Sequence, residues 1–268
     1  MIEEAASYIT SRINNLQPDI GLILGSGLGE IAESIEDKIV IPYTDIPHFP
    51  KTTISGHKGQ LVIGQIGQHT VMCLQGRFHL YEGHKPQLIN MIIEILKVIG
   101  IKELIITNAA GSLNKNIAPG NIMLISDHIN MSGTNPLIGV NNEKYGPRFP
   151  SMTEAYAKHL REKMKQIADS LQIPLHEGTY LMVMGPNFET KAEINALRIL
   201  GADAVGMSTV PEVICANRCG IKVLGLSVIT NYGAGMTADT LSHEETLAQG
   251  QKACAHLSQL IYAYLQEN

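Results

Sequence analysis

Four short runs dense in Ile, Leu and Val, at 20–24, 102–107, 122–129 and 222–230, alternate with segments of helical periodicity along the 268-residue chain. This alternation constrains the fold more than any other feature. Runs apolar through most of their length read as strands covered on both faces, as in a sheet sandwiched between helices. Two further runs, 60–66 and 69–75, are joined by a short turn at Gly67 and read as a hairpin, while 38–41, 176–184 and 204–205 read as additional strands. A hairpin inside an otherwise alternating order requires antiparallel as well as parallel pairs. The expectation is an α/β chain, a three-layer α/β/α arrangement around a mixed central β-sheet.

Helices are expected from the N-terminus to about Asn15, from Leu28 onward, over 86–100 between a proline start and a glycine stop, over 153–171, and over 242–266. Thr190 and Glu193 stand at capping-box spacing, and so do Thr209 and Glu212; each pair is expected to open a helix. No low-complexity stretch, linker, like-charge run or internal repeat divides the chain, so 1–268 reads as a single domain. The net charge of −5 gives no electrostatic reason to expect nucleic acid as a partner. No apolar run reaches transmembrane length and no secretory signal is present, which places the chain in the cytoplasm, away from membranes. Cys73, Cys215, Cys219 and Cys254 read as buried free thiols; Cys215 and Cys219 are one helical turn apart, but no matching His/Cys pair follows to complete a metal site.

The chemistry concentrates in Gln75-Gly76-Arg77-Phe78-His79-Leu80-Tyr81-Glu82-Gly83. Arg77 and His79 are two residues apart, so in extended backbone both project from one face and can grip a phosphate or carboxylate. A solvated turn with Arg77 in a surface ion pair explains an isolated pair equally. The rest of the chain adds polar residues just after apolar strands: Ser26, Asn108, Glu189, Ser208 and Asn231. In open α/β sheets those ends gather along the edge where ligands bind, and Asn108 to Ser112, after the run at 102–107, reads as a loop of small residues there with accessible backbone amides. The glycine loop at 25–29 does not complete a dinucleotide motif, because Glu30 stands at its last glycine position, and it lacks the GK[ST] of a phosphate-binding Walker loop. Ser208 falls beside a helix N-terminus, a position suited to an oxyanion. Glu189 can alternatively serve a helix dipole, and Phe149, in a polar stretch at 131–150, is either a local plug or a cap on a neighbouring subunit. His57, in the polar loop 49–59, is a candidate only through what converges with it.

Taken together, GSGLG at 25–29, SGHKG at 55–59, GRFHLYEG at 76–83, NAAG at 108–111, SDHIN at 126–130, GPRFP at 146–150, EGTYLMVMGPNFET at 177–190, GADAVGMSTVPE at 201–212 and ITN at 229–231 resemble the purine nucleoside phosphorylases of the trimeric, 6-oxopurine-specific type. The resemblance spans nearly the whole chain. It implies phosphorolysis of inosine, guanosine and their deoxy forms, with inorganic phosphate as co-substrate and neither cofactor nor metal. It implies a phosphate site of Ser26, His57, Arg77, His79, the backbone amide of Ala109, and Ser208. Sugar contacts would be Tyr81, Met207 and His243, with Phe149 supplied by an adjacent subunit of a homotrimer. The base would lie against Phe188 and near Tyr180, held by Glu189 and Asn231. His79, Arg77, Glu189 and Asn231 would carry the reaction, and Glu82 would orient His57 or His79. A methylthioadenosine phosphorylase, usually with aspartate at the position of Asn231, and a nucleoside-binding module without turnover are the rival readings. The segment after Asn231 reaches His243 by a shorter route than in vertebrate members, which leaves 5'-hydroxyl recognition open.

Overall fold

The computed structural model describes residues 1–25, 28–50, 58–237 and 243–267, with the backbone alone for 243–250. In chain order the elements are α1 (Ile2–Arg12), β1 (Ile20–Ile23), β2 (Glu36–Pro42), β3 (Gln60–Ile66), β4 (His69–Gln75), α2 (Pro86–Ile99), β5 (Glu103–Ser112) and β6 (Ile122–Met131). They continue with α3 (Lys158–Ser170), β7 (Leu175–Val183), α4 (Lys191–Ile199), β8 (Ala204–Gly206), α5 (Val210–Arg218), β9 (Lys222–Tyr232) and α6 (His243–Gln266). The nine strands of the described residues form one mixed sheet in the order β2-β3-β4-β1-β5-β8-β7-β6-β9. β3 and β4 make the expected antiparallel hairpin, while β1 runs parallel to both β4 and β5.

β9 also pairs in parallel with β5, so β5, β8, β7, β6 and β9 close into a ring. The alternation of strands and helices did not foretell that closure. It curls one half of the sheet and draws the ends of β5 and β9 together with the chain leaving β7 and β8.

Two helical layers cover the sheet. Leu104 and Ile106 of β5 pack with α1, α2 and α5, whereas Ile105 between them packs with α3 and α6. This alternation is the two-residue period of a strand buried on both faces. Side chains such as Leu22, Leu104, Leu224 and Leu257 are fully buried. Each contributes roughly 1.5–3 kcal/mol by leaving water.

Several local expectations are corrected. The small-residue stretch 108–112 is not a loop but the second half of β5, because β9 and β8 both hydrogen-bond to it. Small side chains there permit close approach: a Cβ on Gly25 would sit 2.8 Å from the Asn108 Cα. The segment after Leu28 is a six-residue 3-10 helix, Gly29–Ser34, too short to act as a helix terminus for an anion. α3 begins at Lys158 rather than Thr153, with Ala157 in extended backbone and Glu154 accepting from the Lys158 N–H. The Thr190 capping box forms as expected. The one expected at Thr209 does not, since Glu212 is drawn into the interior.

The irregular stretch between β6 and α3 is tied down by Arg218. Its guanidinium pairs with buried Glu94 at 2.5 Å, donates to the Asn142 carbonyl at 2.8 Å, and meets the Asn141 side chain at 3.1 Å.

Candidate active site

A cavity of about 430 Å³ opens at the C-terminal halves of β5 and β9 and where the chain leaves β1, β4, β7 and β8. Gly76 turns the chain after β4 with φ of 130°, and its carbonyl accepts from the Tyr43 hydroxyl at 2.8 Å. That turn sends Arg77 inward. Its side chain is 1% exposed, with Nε donating to Glu212 Oε1 at 3.0 Å. Nη1 donates to the Thr107 carbonyl and to Ser208 Oγ, both at 2.9 Å. Arg77 therefore joins the end of β4, the middle of β5 and the start of α5. A guanidinium presents donors in a planar fork, so anchoring it at Nε and Nη1 also sets the plane in which it meets a ligand.

His79 begins a short turn closed by Glu82. One oxygen, Glu82 Oε1, accepts from the His79 main-chain N–H at 2.8 Å and lies 3.3 Å from ring Nδ1. A hydrogen on Nδ1 directs any ligand of the ring to Nε2. Of the two histidines that Glu82 was expected to orient, His79 is in contact with it, and His57 lies outside the described residues. The Tyr81 ring stacks on the imidazole at 4.7 Å with 15° between planes. Burial, together with the Glu82 charge, holds the Tyr81 phenol above its ordinary pKa, so it stays a neutral hydroxyl.

Ser208 stands just before α5. Its hydroxyl accepts from Arg77 and its main-chain N–H donates to Tyr180 Oη at 3.3 Å. Tyr180 was expected near a base. It is fully buried behind the cavity wall, where a side chain on Gly206 would collide with it, and it does not line the cavity. By strand alternation Tyr180 belongs to the core cluster on its face of β7, directly beneath Ser208.

Further along the cavity, Phe188 is 82% exposed and Glu189 is half-buried. Burial raises the Glu189 pKa above the usual carboxylate value, and the charge of Glu193 pushes it the same way. Asn231, near the end of β9, accepts from the Thr230 hydroxyl at 2.8 Å and donates from Nδ2 to the Tyr232 carbonyl at 3.0 Å.

Of the residues singled out in the sequence, the cavity gathers Arg77, His79, Ala109 and Ser208 with Tyr81, Met207, Phe188, Glu189 and Asn231. Phe149 lies elsewhere: it is 88% exposed on the rim of a separate depression that also holds His128 and Arg148. Ser26 and His57 lie outside the described residues, as does the side chain of His243. Among the described residues no cluster of three His, Cys, Asp or Glu side chains is arranged to hold a metal ion, and Cys73, Cys215 and Cys219 are buried free thiols. Cys254 is only partly buried.

Glu212, Thr107 and Thr209 were missed. Glu212 carries only a local signal, its place in the first turn of a helix. Its partner Arg77 is 135 residues away, and nothing in the pattern around either residue marks the pairing.

The arrangement offers an anion a guanidinium, an imidazole and a hydroxyl. Within the same cavity it offers a flat heteroaromatic ring an exposed phenyl face, a carboxylate acceptor and a carboxamide. A family model described as the phosphorylase superfamily matches residues 19–266. Purine nucleoside phosphorylase 1 of Geobacillus stearothermophilus is 48% identical over 262 residues, covering 98% of this chain and 95% of its own. Solved structures of Schistosoma mansoni purine nucleoside phosphorylase superpose closely. The complex with adenosine has a TM-score of 0.92 at 38% identity, covering 99% of this chain and 96% of that one. The complex with inosine has a TM-score of 0.92 at 37% identity, covering 100% and 96%. The chain belongs to the purine nucleoside phosphorylase family, within that superfamily.

Proposed function

We propose that the protein cleaves the N-glycosidic bond of purine ribo- and deoxyribonucleosides with inorganic phosphate, releasing the free base and (deoxy)ribose 1-phosphate. The observation that carries the reading is one cavity holding the Arg77-His79-Ser208 donor set together with Phe188, Glu189 and Asn231. The preferred substrates are the 6-oxopurine nucleosides inosine and guanosine.

Phosphate is taken by Arg77, His79, Ser208 and the Ala109 amide, with Ser26 and His57 completing the set. Guanidinium, imidazole, hydroxyl and amide donors bind an oxyanion without a metal, so phosphate serves as co-substrate with no resident cofactor. The reaction passes through an oxocarbenium-like state, with positive charge on the sugar and negative charge building on the departing purine. Phosphate held beside the anomeric carbon answers the first charge and then forms the new C1–O bond as the C1–N9 bond breaks. Tyr81, Met207 and His243 position the sugar. Asn231 donates to the purine as its charge grows, a contact that strengthens toward the transition state. Glu189 accepts from N1–H, a hydrogen that hypoxanthine and guanine carry and adenine lacks. Phe188 covers the base.

The continuous sheet supports one catalytic domain over the whole chain. Exposed Phe149 supports a homotrimer in which this ring closes the sugar site of the adjacent copy. No helix among the described residues is long and apolar enough to cross a membrane.

Release of hypoxanthine from inosine, followed with and without phosphate, tests the reading. Phosphate-dependent release is expected, with little release of adenine from adenosine. Robust cleavage of methylthioadenosine with inert inosine overturns the substrate assignment, and binding without any turnover overturns the activity.

The raised pKa of Glu189 sets a pH dependence. The side chain recognises N1–H only as a carboxylate, and its proton is retained to higher pH than in an exposed glutamate. As pH falls, kcat/KM for inosine therefore drops early on the acid side. Glu189→Gln has no carboxyl to titrate, so it should be slower throughout yet show a flatter acid limb. An acid limb identical in the two proteins removes Glu189 from the base site.

A further inference from the structure

The structure assigns to Thr209 a role as positioning residue: its hydroxyl, held by Asn108, keeps Ser208 turned to donate to the bound phosphate. This rests on the phosphate site proposed above and deepens it.

Thr209 has φ of 76° and ψ of −52°, a region that a β-branched residue rarely enters. The Val210 N–H closes on the Ser208 carbonyl at 2.9 Å, so Thr209 is the centre of a three-residue turn of the rarer, strained hand. Helix α5 does not require this. A threonine at a helix N-terminus ordinarily sits in extended backbone and caps the first turn with its hydroxyl. Here the Thr209 carbonyl still accepts the first helical bond, from Val213 at 3.0 Å, but the side chain makes no cap. The hydroxyl is turned the other way, into the fully buried space behind the cavity.

There Asn108 Nδ2 donates to Thr209 Oγ1 at 2.8 Å, and Thr209 Oγ1 lies 3.3 Å from Ser208 Oγ. Ser208 Oγ also accepts from Arg77 Nη1 at 2.9 Å. The Thr209 hydroxyl, accepting from Asn108, can give its own hydrogen to Ser208 Oγ, which then accepts from both Thr209 and Arg77. The Ser208 hydrogen then points onward to a ligand rather than back into the wall. The bonds run in one direction, from amide to hydroxyl to hydroxyl to anion, and each polarises the next. Asn108 lines the cavity from β5 and Ser208 from the start of α5, so the chain also clamps these two elements around the phosphate position.

Three variants test this: Thr209→Ser, Thr209→Val and Thr209→Gly, each assayed by inosine phosphorolysis with phosphate and inosine varied separately, and each by thermal midpoint. Thr209→Ser keeps the hydroxyl and should hold both KM values within about twofold of the starting protein. Thr209→Val keeps the branched shape without the hydroxyl. Thr209→Gly adopts the turn's backbone without strain but also lacks the hydroxyl. Both should raise the phosphate KM on the order of tenfold, the effect of one hydrogen bond in a charged site, with inosine KM little changed. A phosphate KM unmoved in Thr209→Val and Thr209→Gly overturns the inference while leaving the phosphorylase reading intact. So does a fall in thermal midpoint with both KM values rising together, the mark of a purely structural residue. A starting protein that releases base without needing phosphate overturns the phosphorylase reading and the inference with it.

Discussion

Arg77→Ala is expected to raise the phosphate KM far more than the inosine KM and, separately, to lower the thermal midpoint. The two effects have different origins. Phosphate loses the fixed fork that the guanidinium presents at the cavity floor, and the loss of a charge-assisted contact to a dianion is felt in phosphate affinity first. The fold loses the partner of Glu212, whose side chain is only 7% exposed. Removing one member of a buried ion pair costs about 3–5 kcal/mol, because the remaining charge is left without compensation. For a chain of this size that corresponds to a midpoint lower by about 10 °C.

A second change separates the effects. Adding Glu212→Gln to Arg77→Ala removes the stranded charge, so most of the midpoint should return while the phosphate KM stays high. Arg77→Lys supplies a charge without the fork and should keep the fold while binding phosphate poorly. If phosphate and inosine KM move equally in these proteins, Arg77 does not grip the anion. If the midpoint of Arg77→Ala is unchanged, the ion pair contributes nothing to stability.

The second large effect is at Asn231. Asn231→Asp should lower kcat/KM for inosine by on the order of a hundredfold, the usual effect of losing one donor aimed at developing negative charge. The same change should raise turnover of adenosine, since a carboxyl can complement the 6-amino group of adenine. The ratio of kcat/KM for the two nucleosides is the measurement. An unchanged ratio would take Asn231 out of base recognition, whatever happened to the absolute rates. The position of Asn231 favours a specific effect over a general one. Its side chain is exposed near the end of β9 and, among the described residues, its hydrogen bonds run within its own stretch of chain, to Thr230 and Tyr232.

The hairpin of β3 and β4, the Pro86 start and Gly100 stop of α2, and the capping box at Thr190 were all legible as sequence and all formed. These are local devices: a two-residue period, a preset φ, a side chain reaching three residues along. The expectation at 108–112 failed for the complementary reason. Small residues do favour loops, but two neighbouring strands saturate the backbone of this stretch, and paired buried amides outweigh a local preference.

The site divides in the same way. That Arg77, His79, Ser208, Glu189 and Asn231 line one cavity was foreshadowed by their types and by their places after apolar strands. That Tyr180 lies behind Gly206 and Ser208 rather than in the lining depends on register with β6 and β8, which its own segment does not reveal.

By itself the sequence determined the inventory: a mixed α/β sheet, a set of donors and acceptors at its strand ends, and the family whose motifs they spell. Only the tertiary structure decided the partnerships. Glu212 holds Arg77 across 135 positions of chain, and Asn108 reaches Thr209 across 101. The physical reason is that periodicity and capping act over a few residues. A buried polar group instead takes whichever partner the closed ring of strands carries to it, and leaving it unmet costs more than any local preference can return.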